Sequence, residues 1–202
     1  MGISLVKGQK VNLAKDGGGS LDNILVGLGW DAASSKGKGL LGSLFGGGQA
    51  NIDCDASVMI LNNDGKFVRR EDLVYFGNLI HPSGAVRHMG DNLTGEGEGD
   101  DEQVLVQLSK LPADCGKIVF IVNIYDCGKR NQHFGMINNA FIRIVDGASN
   151  KEFLRYNLTE DYAGKTSLIV GEIYKHNGEW KFAAVGEATT DPGIADIVRK
   201  FS

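Results

Sequence analysis

The feature that most constrains this chain is the run Lys117–Tyr125, KIVFIVNIY, which is apolar and β-branched at almost every position. A run of this length is too short for a buried helix, and a strand that is apolar at consecutive positions has both faces covered. It is therefore expected as a central strand. Its neighbours read as shorter strands broken by turn signals: Ile3–Leu13, Leu21–Trp30, Asp55–Leu61, Asp72–Asn78, Ala85–Met89, Gln103–Leu108 and Phe153–Leu158. Phe134–Val145 fits either a helix or a strand, and FIRIV within it favours a strand. Asp16-Gly-Gly-Gly reads as a turn, Asn63-Asp-Gly65 as a hairpin, and Asn177-Gly178 as a second hairpin between Ser167–Tyr174 and Trp180–Val185. The 29 glycines against 3 prolines suit many tight turns. Near the end, Asp191 as an N-cap and Pro192 at the first helical position predict a short helix. Its apolar face would be Ile194, Ile197, Val198 and Phe201. The pattern predicts an all-β, antiparallel two-sheet sandwich with short peripheral helices. One domain is expected over residues 1–190, with a glycine-rich insertion at 32–50 and a short helix or tail at 191–202.

Charge is concentrated. The net charge is −4, but residues 91–102 alone carry Asp91, Glu96, Glu98, Asp100, Asp101 and Glu102 with no lysine or arginine. Those six acids leave the rest of the chain at +2, so there is no basic footprint for nucleic acid. The three cysteines, Cys54, Cys115 and Cys127, are odd in number and widely spaced, which speaks against a disulfide framework or a zinc knuckle. The start of the chain lacks the apolar core of a signal peptide, and no stretch approaches a membrane span. A reducing cytoplasm is the expected setting.

Six carboxylates in twelve residues need a physical reason. Two unit charges about 4 Å apart repel by about 4 kcal/mol at an effective dielectric of about 20. A hard cation removes that cost, and calcium takes about 6–8 oxygen ligands in flexible geometry. The segment GDNLTGEGEGDDE offers carboxylates, the Asn92 amide, the Thr94 hydroxyl, and glycines that let carbonyls turn inward. It contains no His or Cys for zinc or copper. It is not an EF-hand, because Leu93 and Glu96 stand where that loop needs an oxygen ligand and a glycine. The bland alternative is a solvated acidic loop. Asp53 and Asp55 share one face of a strand, and Asp31 follows a glycine-rich run, so these three could complete one cation site or form a second.

Other signals carry less. Gly164-Lys-Thr166 lacks the glycine a phosphate loop needs at position 159, which is threonine, and Gly27-x-Gly29-x-x-Ala32 has no helix pattern after it. His81, His88, His133 and His176 are scattered and read as surface or loop residues. Trp30 and Trp180 read as core. No serine or cysteine lies in a nucleophile motif. A hydrolase using Asp100, Asp101 and Glu102 as a metal or acid–base group is the least favoured reading.

Taken together, several stretches resemble the TerD family of tellurite-resistance and general stress proteins. They are Gly27–Asp31 (GLGWD), Asp53–Ser57 (DCDAS), Val74–Leu79 (VYFGNL), Gly90–Glu102, Ile121–Asp126 (IVNIYD), Phe134-Gly135, Asn139–Asp146 (NAFIRIVD) and Gly171–Gly186. They run in family order across nearly the whole chain. The resemblance implies a two-sheet sandwich that binds calcium, with two adjacent ions, and has no established catalysis. It implies the ligands Asp31, Asp53, Asp55, Asn78, Asp91, Asn92, Glu96, Asp100, Asp101 and Glu102. It further implies work in complexes with other Ter-type stress proteins at the inner face of the membrane; on the charge reading above, no nucleic-acid partner is expected. A calcium-dependent membrane or protein adaptor is the alternative. Cys54 stands where leucine is expected. The resemblance does not fix the oligomeric state.

Overall fold

A computed structural model describes residues 2–14, 19–32, 52–90 and 99–202. The expected turn at 16–18, the insertion at 32–50 beyond Ala32, and Asp91, Asn92 and Glu96 lie outside the described residues. The strands are β1 (Ile3–Leu5), β2 (Lys10–Asn12), β3 (Asn23–Ala32), β4 (Cys54–Asn62), β5 (Leu73–Val74), β6 (Val86–His88), β7 (Glu102–Gln107), β8 (Cys115–Ile124), β9 (Ile137–Asp146), β10 (Lys151–Asn157), β11 (Ser167–His176) and β12 (Glu179–Thr189). Two short helices, α1 (Cys127–Arg130) and α2 (Ile194–Arg199), lie outside the sheets. The first sheet runs β1-β10-β9-β3-β7-β6 and the second β2-β12-β11-β8-β4-β5. Every pair is antiparallel except β1 with β10, which is parallel.

The apolar run in β8 is explained by what covers it. Ile118, Phe120, Val122 and Ile124 point into the main core between the sheets. Val119 and Ile121 point outward, yet they are buried with Met59, Leu61 and Ile169 in a second, smaller core. The lid of that second core is α2: Ile197 is 1% exposed, and Ile194, Val198 and Phe201 pack beside it. The expected apolar face of the helix is thus the one that docks. Its start differs from expectation. Gly193 holds the N-cap position, and Asp191 is displaced from it because its backbone carbonyl accepts the hydroxyls of Thr166 and Ser167 at 2.7 and 2.9 Å. That contact pins the turn before α2 to the first residue of β11.

The expected single strand Ile3–Leu13 is two strands in different sheets. The chain turns at Lys7-Gly8, where Gly8 has φ +83 and its N–H reaches the Ala184 carbonyl. The turn places β1 beside β10 and β2 beside β12, so the N-terminal segment closes the same side of both sheets. The Asn177-Gly178 hairpin is as expected: both residues take positive φ, 52 and 82, which a two-residue type I′ turn requires. Strand direction then sets the functional geometry. The last residues of β3, β6 and β8 and the first of β4, β7, β9 and β11 all lie at one end of the sandwich.

Because α2 covers β4, β8 and β11 and does not merely trail from them, Ile197→Ala should cost about 2–4 kcal/mol. Urea unfolding monitored by tryptophan fluorescence checks this; a loss under about 0.5 kcal/mol, the usual range for surface changes, would mean the helix is dispensable.

Candidate metal centre

The described acids of interest gather at that end. Two of the three internal undescribed stretches join the structure there too, at Ala32, Ile52, Gly90 and Gly99. Asp31, near the end of β3 beyond a bulge, is exposed and its Oδ2 accepts the Asn139 side-chain amide at 2.7 Å. Asp53 sits just before β4, mostly buried, with its Oδ2 3.7 Å from Arg130 Nη1. Asp55, one strand step further, is buried and lies in register with Asn123 of β8. Asp101 precedes β7; its Oδ2 accepts the Trp30 N–H at 2.6 Å, while its own N–H donates to the Leu28 carbonyl. Burial pushes the Asp101 carboxyl above its usual pKa, and the charges of Asp31 and Asp100 push the same way against the opposing Trp30 hydrogen bond.

Asp100 and Glu102 flank Asp101 but go elsewhere. The Asp100 carboxylate is fully buried on the outer side of the first sheet. Arg143 of β9 grips it with both arms of the guanidinium, Nε at 2.7 Å and Nη2 at 2.9 Å, and Gln103 Nε2 adds a third donor. Room for it exists because residue 27 has no side chain: a Cβ there would stand 2.2–2.3 Å from the Asp100 carboxylate atoms. Glu102 turns inward. Its Oε2 accepts the Ala56 N–H of the second sheet at 2.8 Å and lies 3.0 Å from His88 Nε2, both side chains being 1% exposed. The Gly90 N–H donates to His88 Nδ1, which leaves Nε2 to carry the ring proton toward Glu102. Asn78 spends its side-chain N–H on the Leu73 carbonyl and so closes the turn after β5.

Three residues that shape this end were not singled out from the sequence as site residues. His88 was expected at the surface and is buried, as is His81, which pairs with Asp72 at 3.1 Å. The signal for His88 was present: Val86 and His88 are two apart, so they share the inward face of β6. Arg143 is the one charged residue in an apolar strand stretch and stands in register with Gly27. Asn123 interrupts the apolar run of β8.

Cys54, Cys115 and Cys127 are buried. Burial raises the Cys54 pKa, and so do the surrounding charges of Asp55, Glu102, Asp53 and Asp101; burial also pushes Cys115 up to about 11.

Among the described residues, no three His, Cys, Asp or Glu side chains converge tightly enough to form a ready metal cage. The donor chemistry nevertheless fits a hard cation. The groups at the rim are carboxylate and amide oxygens, and Asp101 is a carboxylate whose ionisation is resisted by burial first and then by the charges of Asp31 and Asp100. Asp31, Asp53, Asp55 and Asp101 would contribute oxygens to such an ion.

A β-sandwich with an acid-rich end defines the class of this protein. The chain belongs to the TerD domain family, whose pattern it matches over residues 1–201. It is 56% identical over 201 residues to "Stress response protein SCP2" of Bacillus subtilis, covering all of both chains. It is 42% identical over 201 residues to "Tellurium resistance protein TerD" of Serratia marcescens, covering all of this chain and 97% of that one. The crystal structure of a TerD homologue from Streptomyces coelicolor superposes with a TM-score of 0.64 over 91% of this chain and 99% of that one, at 19% sequence identity. The last comparison bears out the two-sheet fold.

Gly27→Ala should force Asp100 off Gly27 and loosen its grip on Arg143, at a cost of about 1–3 kcal/mol. Chemical unfolding of the variant beside the parent reads this directly. Unchanged stability would mean that the Asp100–Arg143 pair is not held against residue 27.

Proposed function

We propose that this chain is a non-enzymatic, calcium-binding stress-response protein of the TerD type, acting through partner binding by its acidic end. The observation that carries the reading is Asp101. Its carboxylate receives the Trp30 N–H and no cation among the described residues, while Asp31 and Asp100 oppose its charge. A bound divalent ion supplies the missing positive charge. On this reading Asp31, Asp53, Asp55 and Asp101 hold the ion side of the site, and the carboxylates of residues 91–98 complete it. Two ions suit the number of oxygen donors. The Asp100–Arg143 and Glu102–His88 pairs hold the backbone on either side of Asp101, so that it meets the ion from a fixed position.

The relatives named for tellurium resistance and stress response support the physiological side of the proposal. Other Ter-type proteins, including membrane-associated ones, are the proposed partners. Such a partner would respond to calcium only by binding the ion-loaded and ion-free forms with different affinity.

Calorimetric titration after chelator treatment tests the proposal. We expect calcium to bind with a stoichiometry of two, more tightly than magnesium, and to raise the melting temperature. At a free concentration of 100 times the Kd the added stability would be about 2.7 kcal/mol. Asp101→Asn keeps an oxygen for the Trp30 N–H, so it should fold as the parent does, yet bind calcium at least about tenfold more weakly. The absence of both binding heat and a thermal shift on adding calcium would overturn the reading.

A further inference from the structure

A cavity of about 390 Å³ opens on the outer face of the second sheet, between the ends of β4 and β8 and the residues that lead into α2. It shares Asp55 with the acidic end, but the rest of its wall belongs to no part of the calcium proposal. Asp55 and Asn123 form its floor, Phe76 and Tyr125 its sides, and Asp126 and Lys129 its rim.

The floor asks for a hydrogen-bond donor. Asn123 is 6% exposed, and its side-chain oxygen meets no donor among the described residues. Buried carbonyl oxygens are rarely left so. Asp55 lies directly opposite Asn123 on the adjacent strand, so a carboxylate and an amide oxygen stand side by side with their Cβ atoms about 5 Å apart. The walls favour a flat cation. Phe76 and Tyr125 are 48% and 47% exposed, unusual for large aromatic rings, and rings so placed attract a cation over their faces. The chain's own Arg130 already does this on Tyr125, with its guanidinium carbon 5.4 Å from the ring centroid, without lining the cavity. At the rim, Lys129 Nζ lies 3.2 Å from Asp126 Oδ2, but its side chain is 84% exposed, so it leaves the opening passable.

We propose that this cavity takes the guanidinium of an arginine side chain presented by a partner protein. The planar fork of arginine delivers parallel N–H groups to two neighbouring acceptors and stacks on aromatic faces, which the compact ammonium of lysine cannot do equally well. The methylene stem would lie along Phe76 and the start of α2. Leu79 and Ile80, close to Phe76 in the chain and also exposed, extend the surface as an apolar margin of the kind that surrounds a buried anchor.

The test is an NMR titration of the full chain, nitrogen-labelled, with N-acetyl-arginine methylamide as the probe. Its lysine and citrulline analogues and calcium chloride alone serve as comparisons. We expect the arginine probe to shift the Asn123 side-chain amide and the Phe76 and Tyr125 backbone signals. Citrulline, equal in shape but uncharged, should bind at least about tenfold more weakly, and lysine should fall between. Phe76→Ala, at an exposed position, should keep the fold and the calcium titration while weakening the arginine probe. The proposal is overturned by an absence of shifts at millimolar probe, by citrulline binding as well as arginine, or by Phe76→Ala leaving arginine binding intact. Calcium alone is expected to shift Asn123 through the shared neighbour Asp55; the proposal is overturned if calcium displaces the arginine probe altogether, since the cavity would then be part of the metal centre. Because Phe76 takes no part in the calcium proposal, failure of one reading is visible separately from failure of the other.

Discussion

The buried carboxylate of Glu102 joins the two sheets at the end where the chemistry is concentrated. β5 pairs with β4 only at Val58 and Met59, so the Ala56 N–H, on the same edge of β4, has no strand to donate to. Glu102 reaches across from the first sheet and accepts it, and His88 holds the same oxygen from the other side. A carboxylate in the core is costly unless hydrogen bonds replace the lost water, and here the replacements come from both layers of the sandwich. The start of β7 is therefore fixed to β4 as well as to β3. Whatever the neighbouring acidic residues do, they do it from a foundation shared by both sheets.

This arrangement explains why three consecutive acids have three different fates. Strand alternation begins only at Glu102, which shares the inward face of β7 with Val104 and Val106, whereas Asp100 and Asp101 precede the strand and are placed by their partners. Asp100 goes to the outer face and meets Arg143 over Gly27. Asp101 stays at the rim against the Trp30 N–H. Glu102 goes inward to Ala56 and His88. Read along the sequence, the acids from 91 to 102 form one cluster of charge. In the fold, Glu102 is turned inward by the alternation of β7, and Asp100, just before that strand, is held outward by Arg143. The partners that hold them are distant in the chain: alternation marks His88 as buried and Arg143 interrupts an apolar stretch, but neither signal says which carboxylate the residue meets.

Elsewhere the sequence was more transparent, for the same reason in reverse. The Asn177-Gly178 hairpin, the apolar run of β8 and the docking face of α2 depend on local conformation or on a periodicity that any covering element would satisfy. The break at Gly8 was not legible, because Ile3–Leu13 alternates acceptably as one strand. Only the availability of open edges on β10 and β12, in different sheets, makes two short strands the better solution. The N-cap of α2 was misplaced for a similar reason. Asp191 is a good cap in isolation, but Thr166 and Ser167 claim the backbone before the helix starts.

The division of labour among the acids bears on how the end of the sandwich would respond to a cation. Arg143 balances the charge of Asp100, and hydrogen bonds from two sheets satisfy Glu102, so neither depends on an ion to remain where it is. Asp101 is held between them by a neutral donor, with its position fixed and its charge opposed. The calcium site proposed above would, assembled this way, be organised at its base before any ion arrives. Loading it would reward the folded state chiefly at the rim, and the energetic difference between loaded and empty forms would then fall on the segments that enter and leave at Ala32, Ile52, Gly90 and Gly99. The core, which both sheets hold in common, would change little.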